Sequence, residues 1–527
     1  MSGKKTSHYE MHKYWGKKPS AQLTNLIKRY SSPGDIVLDP FAGYGVFICE
    51  AYLAGRNAIG NDLNPFSSFL LNCLLSADIC VDEFQNQITN VLHTLQDVSR
   101  FWYGVTCPIC AGRATVLASL RTRDGEVLRH RLTCRCQAKS FEASFDCGVT
   151  EKESNASIPS HPVAKLIRNG RINVKHGMTT DDLFPSRALI CHSLLFEKLE
   201  QLQDEVICRF AKLAFSSNLA NCSKLVPPIA TRGPMYPGAW MTGFYVGKKY
   251  LENNVFHYFA NRIAKVIAGK KSFLQQESAP NLLPTKSKVS TIDDFCRNSR
   301  GYLISNQDAK NLNFPDDSVD YVFTDPPYGD SVPYFEQSIL WNTWLGHTVD
   351  YKQEIVVSNS QVRSKDSQSF TTDIHRAILQ VYRVLKHDGF FSITFHSISG
   401  VEWYALSKAC LESGFFFVRW DWLTQKTFSP RQLNRKKTVK GDVLMTFQKR
   451  LTKPQTVSLD RQQTIALVRS LAERLLHNGK INTNELFMGI VKEFFGKHLV
   501  FAQVSFLGIL SKYFYLDKDG FWHLPSK

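Results

Sequence analysis

A chain of 527 residues exceeds one ordinary hydrophobic core, and its 43% hydrophobic and 12% aromatic content excludes a disordered polyelectrolyte. Lys and Arg number 64 against 47 Asp and Glu, a formal charge of +17, which favours a polyanionic partner through counterion release. No apolar run approaches the ~20 residues of a membrane span, and MSGKKTSHYEMHKYWGKK lacks the apolar centre of a signal peptide, so an intracellular location with reduced thiols is expected.

Residues 35–80 predict strand, turn, helix, strand, helix. DIVLDPFAGYG runs a short apolar strand into a glycine loop, and VFICEAYLAG fits a helix closed by Gly55. NAIGNDLNP is a second strand ending in an acid, followed by the apolar helix FSSFLLNCLLSA. The alternation stops at about residue 81 and resumes near 300. Between lie a cysteine cluster at 105–150, a helical region, the aromatic loop PPIATRGPMYPGAWMTGFYVGKKY and a second long helix. Residues 81–299 are therefore expected to form a large insertion, and QQESAPNLLPTKSKVS a flexible return to the sheet. GYLISNQDA, VDYVFTDPP, FFSITFH, FFFVRWDWL and DVLMTFQK read as further strands with helices between most of them. Alternating strand and helix means α/β: a doubly wound, mostly parallel sheet. Residues 451–527 predict a small module, either a helical cap or a winged-helix-like unit ending in an Asp-Gly hairpin.

Two loops carry the chemistry. In DPFAGYG, Gly43 and Gly45 let the backbone turn tightly and approach a ligand where a Cβ would clash, and Asp39 can accept from a ligand ammonium group. Asp62, ending the second strand, occupies the place where an acid grips ribose hydroxyls. Asp308, after the third strand, can take an exocyclic amine of adenine. No Lys-Ser/Thr follows the glycines and no GxGxxG is present, so the site suits a nucleoside carrying an amino acid better than a phosphate chain. The second loop is TDPPYGD. Its prolines cannot continue a strand. They stiffen a loop that aims the Asp325 carboxylate and a backbone carbonyl at one point, two acceptors that suit an –NH2 group whose lone pair stays available. Tyr328 offers a flat face for a planar base, which must leave the duplex to arrive there.

The cysteines form two pairs, Cys107 and Cys110 in CPIC and Cys134 and Cys136 in TCRC, with Cys147 able to replace a member of the second. This resembles a zinc ribbon with structural S4 ligation. KTFSPRQLNRKKTVKGD at 426–442 sets Arg431, Arg435, Lys436 and Lys437 among polar residues, a composition suited to nucleic-acid phosphates.

DPPY together with DPFAGYG resembles the amino-methyltransferases of DNA, which move a methyl group from S-adenosylmethionine to an exocyclic base nitrogen. The resemblance covers residues 8–80 and 300–450. It implies a Rossmann-like class I methyltransferase sheet, with 1–80 the cofactor half, 300–450 the catalytic half and 81–299 the candidate target-recognition insertion. It makes Asp325, Pro326, Pro327 and Tyr328 catalytic. Asp39, Pro40, Phe41, Gly43 and Gly45 become the cofactor loop, Asp62 with Leu63 and Asp308 with Ala309 the ribose and adenine contacts. MHKYWGKKP resembles the segment that closes over the methionine end of the cofactor, which adds His12, Lys13 and Trp15. Tyr44 departs from the small residues common at its position. The implied substrate is double-stranded DNA with a flipped base, adenine N6 first and cytosine N4 second, in a restriction-modification or phage-defence system of a prokaryotic cytoplasm at the nucleoid. Any restriction nuclease would be a separate protein. RNA guanine N2 is the alternative from another substrate class. C5-cytosine chemistry is disfavoured, because no Pro-Cys nucleophile ends a sheet strand.

Overall fold

The computed structural model describes residues 7–144, 152–153, 155–280, 282–330, 332–395, 400–423, 442–477 and 479–525. After a first turn at Ser7–Glu10, helix α1 (Ser20–Tyr30) leads into β1 (Ile36–Asp39), α2 (Val46–Leu53), β2 (Asn57–Asn61) and α3 (Pro65–Leu75). Asn64 caps α3, its side chain accepting from the Phe66 N–H, with Pro65 at the first turn where a missing N–H costs nothing.

The inserted stretch builds its own sheet from β3 (Gly104–Thr106), β4 (Arg113–Thr122), β5 (Val127–Cys134), β6 (Phe141–Ala143) and β7 (Lys249–Asn253), with β4 pairing antiparallel to β3, β5 and β7. Helices Ser186–Glu200, Glu205–Leu219 and Val255–Glu277 accompany it. Arg121 and Arg187 converge on buried Glu252 at 2.5 and 2.7 Å. Burial opposes ionisation of Glu252, but the two guanidinium groups outweigh it and hold the carboxyl well below its usual range.

The chain then returns through β8 (Thr285–Lys288), β9 (Arg300–Ser305), β10 (Val319–Thr324), β11 (Leu385–Phe395), β12 (Phe416–Leu423) and β13 (Asp442–Gln448). With β1 and β2 they form one eight-stranded sheet in the order β12-β13-β11-β10-β1-β2-β9-β8. All pairings are parallel except those of β13, which runs antiparallel to both neighbours. The stretch expected to be a flexible return thus differs. Its first three residues extend the helix to Glu277, and Thr285–Lys288 pairs with β9 as an exposed, polar edge strand. Exposure on both faces explains why apolar patterning gave no sign of it.

Central strands are buried on both faces, as parallel strands covered by helices must be. Val37, Tyr321 and Phe323 turn to one core with α2 and the inserted helices, while Leu38 and Val322 turn to a second core. That second core includes Phe487, Phe494 and Phe495 from the C-terminal helix Thr483–Gly496. Strand order reverses between β1 and β10, so a crevice opens at their carboxyl ends.

Candidate active site

Asp39 closes β1 at that crevice, and the loop behind it depends on left-handed glycines at 43 (φ 53°) and 45 (φ 87°). A Cβ on Gly45 would stand 2.2 Å from Leu71 Cδ2, and one on Gly43 3.1 Å from the Tyr14 ring. Asp39 Oδ1 accepts from the Phe41 N–H (3.0 Å) and from the Thr324 hydroxyl (2.9 Å). Burial pushes the carboxyl up to about 8 despite these donors. Asp62 accepts from the Gly43 N–H on one oxygen and the Asn64 N–H on the other, both at 2.8 Å, and burial raises it to about 6. Each Asp62 oxygen keeps one acceptor position, which matches a vicinal diol. Asn61 ties the neighbouring loops together, donating to the Pro40 and Gln307 carbonyls (3.2 and 3.0 Å). Asp308 follows within this tied turn, held by the Lys310 N–H at 2.9 Å.

Opposite stands the loop after β10. Asp325 Oδ1 accepts from the Thr394 hydroxyl (2.6 Å) and from the Tyr328 hydroxyl. Its Oδ2 meets Lys18 Nζ at 2.8 Å, and the same ammonium reaches Asp442 Oδ2 at 2.8 Å. Burial alone would lower the pKa of Lys18, but the Asp325 and Asp442 carboxylates outweigh it and raise the value. A protein ammonium therefore sits where an amine would donate to the loop. Tyr328 directs its hydroxyl at Asp325 and packs its ring edge-on against Phe395 (5.3 Å).

Trp15, Asp39, Pro40, Phe41, Gly43, Gly45, Asp62, Leu63, Asp308, Ala309, Asp325 and Pro327 line a single cleft with about 970 Å³ of empty space, its mouth included. Pro326 and Tyr328 are absent from its wall. So are His12 and Lys13. The His12 ring is buried against Phe66 (5.1 Å) and Trp341 (4.9 Å), its Nε2 is 3.2 Å from Ser216 Oγ, and burial lowers it to about 3, so it is a neutral anchor at physiological pH. Lys13 is exposed. Arg431, Arg435, Lys436, Lys437 and Cys147 lie outside the described residues.

Sequence reasoning missed Tyr14, Lys17, Lys18, Tyr334 and Glu354, all in the cleft wall. Tyr14, Lys17 and Lys18 fall inside the segment MHKYWGKKP, where a Lys-Pro pair just ahead of α1 was a usable signal. Tyr334 falls in the aromatic-rich run GDSVPYFEQSILWNTWLG, whose composition pointed to a wall of the base pocket, and Glu354 gave none. Lys17 spans the clasp, donating to the Tyr9 and His12 carbonyls (2.7 and 2.5 Å) and lying 3.5 Å over the Tyr44 ring. The unusual Tyr44 thus supplies a face for a cation and is itself part of the cleft wall.

Away from the cleft, Cys107, Cys110, Cys134 and Cys136 bring four Sγ atoms within 4.8 Å of one another. Two of the separations, Cys107–Cys136 and Cys110–Cys134, are 3.7 Å. A tetrahedron with Zn–S bonds of about 2.3 Å has an edge of about 3.8 Å, so the thiols already stand at the spacing of such a shell.

The family model of N6/N4 DNA methylases matches residues 2–68, the stretch that holds the clasp, the glycine loop and Asp62. Over that stretch the chain is similar to the DNA amino-methyltransferases. The Type II methyltransferase M.MjaII of Methanocaldococcus jannaschii is 21% identical over 370 residues, 63% of this chain and 61% of that relative. Among solved structures, a Thermus thermophilus protein described as a DNA modification methylase shares 14% identity, covering 37% of this chain and 86% of its own, at a TM-score of 0.17. A SAM-dependent methyltransferase of Methanosarcina mazei shares 11%, covering 29% and 69%, at a TM-score of 0.16. Among the described residues, no helix is long and apolar enough to cross a membrane.

Proposed function

We propose that the protein methylates an exocyclic amine of a base flipped out of double-stranded DNA, adenine N6 first and cytosine N4 second, with S-adenosylmethionine as donor. The observation that carries this reading is the Asp325–Tyr328 loop facing the Asp39–Gly45 loop across one cleft. The residues present fit the donor. Asp62 offers two acceptor positions for the ribose, Asp308 one for the adenine amine, and Asp39 Oδ2 one for the amino-acid ammonium. The positive-φ glycines leave the room a Cβ would fill. Bound there, the donor supplies an electrophilic methyl on a sulfonium.

Asp325 does the positioning. One base N–H donates to its carboxylate, which holds the nitrogen with its lone pair directed away from the protein acceptors. As the nitrogen gains its fourth bond the negative carboxylate stabilises the charge that develops, and it is the nearest group to accept the surplus proton afterwards. Lys18, which holds Oδ2 in the ligand-free protein, gives that position to the base and keeps Asp442 as its partner.

The expected test is expression in a methylation-free host, with host DNA digested to nucleosides for mass spectrometry. N6-methyladenine or N4-methylcytosine should appear with the wild type and fall by roughly 10²–10³-fold in Asp325→Ala, while cofactor binding persists. Equal methylation by the variant would overturn the mechanism. A restriction-modification or defence setting, with any nuclease a separate protein, accords with the likeness to a Type II methyltransferase. Cys107, Cys110, Cys134 and Cys136 would hold one structural zinc, with no open position for catalysis.

A further inference from the structure

The inserted stretch does not stand apart from the catalytic loop. Arg171 pairs with Asp330, five residues beyond Asp325, at 2.5 Å, and Asn169 Nδ2 donates to Glu336 Oε1 at 2.5 Å. The Gly170 N–H donates to Asn359 Oδ1 at 3.0 Å. The loop behind these residues is joined to a second inserted loop, where the Asn173 N–H donates to the Gly243 carbonyl at 2.8 Å. That second loop seats Trp240 against Trp15 (6.4 Å), and Trp15 is in the cleft wall and touches Tyr334 (6.0 Å). Two loops far apart in sequence thus meet at the mouth through which a flipped base would enter.

The exposed residues of these loops have an unusual composition. Tyr236, Met241 and Tyr245 are 42%, 40% and 54% exposed, large apolar groups turned to water. In the same two loops Arg168, Lys175 and Arg232 are exposed, Arg232 lying over the Tyr236 ring at 5.3 Å. Exposed aromatics interleaved with cations, on a chain of charge +17, combine stacking faces with phosphate contacts. We propose that the loops at 168–176 and 228–247 form the surface that grips duplex DNA on either side of the extruded base, the cations on phosphates and Tyr245 and Met241 at base edges or in the vacated stack. The inference rests on the DNA substrate proposed for the cleft and adds which segment of the insertion meets the duplex. Because Arg171 and Asn169 tie the same loop to residues just after the catalytic motif, correct seating of the DNA and placement of Asp330 are mechanically linked.

The test uses the full chain and three side chains whose loss should leave the fold intact, since none makes a hydrogen bond or ion pair among the described residues. A triple Arg168→Ala, Lys175→Ala, Tyr245→Ala variant is compared with the wild type and with Arg474→Ala, Lys497→Ala on the C-terminal helices. The probe is a duplex carrying the motif that sequencing shows to be methylated by the wild type, read by fluorescence anisotropy against salt, with calorimetry of S-adenosylmethionine as the fold control. The triple variant should bind at least tenfold more weakly and lower the log–log salt slope by roughly two, the loss of two phosphate contacts. Cofactor affinity should stay unchanged and the control variant should match the wild type. A triple variant that binds and methylates like the wild type, while the wild type methylates DNA, overturns this proposal alone. A wild type that neither binds nor methylates duplex DNA, or prefers RNA of the same sequence, overturns the substrate reading and this proposal together.

Discussion

Asp39 shows how a single side chain can make the proposed cofactor site sensitive to pH. Its folded value, raised to about 8 by burial, lies above the ~3.9 of an unfolded aspartate. The stability of the ligand-free protein is therefore undiminished by this group below about pH 4 and is lost progressively as pH rises from there through 8, because ionisation in the buried site is resisted. An ammonium donating to Oδ2 reverses that preference, so binding S-adenosylmethionine near neutrality should expel a proton. Affinity should climb between about pH 6 and 7.5, below the ~7.7 at which an α-amino group starts to lose its own proton. Calorimetry in buffers of different ionisation enthalpy reads the proton directly. Asp39→Asn should flatten the profile and weaken binding by about 1.5–3 kcal/mol. A flat wild-type profile with no buffer dependence would remove Asp39 from the ammonium site.

The elements differ in how openly the sequence declared them. The loops after β1 and β10 were legible because their chemistry is local: glycines at positive φ, prolines where a ladder must stop, and an acid at each strand end. The edge strand Thr285–Lys288 was hidden because exposure on both faces leaves no alternation to read. Lys18 was hidden for a different reason, since its Asp442 partner lies 424 positions away and only the closed sheet brings the two together. The cysteine pairs were legible by spacing, and the element they clip has little else to hold its end. Cys107, Cys134 and Ala114 form a small apolar cluster of their own. Metal bound by four thiolates is folding free energy for such a unit. Cys107→Ser with Cys110→Ser should abolish one equivalent of zinc seen by elemental analysis and make the β4–β5 hairpin protease-sensitive, while S-adenosylmethionine still binds. Zinc-free wild-type protein, purified without chelator, would refute the ribbon.

For the molecule as a whole, composition suggested separable parts, whereas packing joins them. The acids at 39 and 62 and the loop at 325 meet because β9 and β10 return to either side of β1 and β2 after the insertion. The C-terminal helix Thr483–Gly496 is equally committed. Phe495 is fully buried, with its ring 5.8 Å from both Phe417 on β12 and Phe447 on β13. Trp403, packed behind β11 against Phe395 (4.8 Å), lies 5.5 Å from Phe487 of the same helix. A terminal module folding independently would present a polar face to the sheet, but this one completes its second core. Phe495→Ala should therefore cost about 3–5 kcal/mol and lower the melting temperature of the entire transition by roughly 5 °C. Cofactor binding, although formed far from residue 495, should be lost in step with the global melt. If the C-terminal helices instead melted first and left cofactor binding at its wild-type midpoint, the second core would be two cores, and the sheet would be stable without its C-terminal cover.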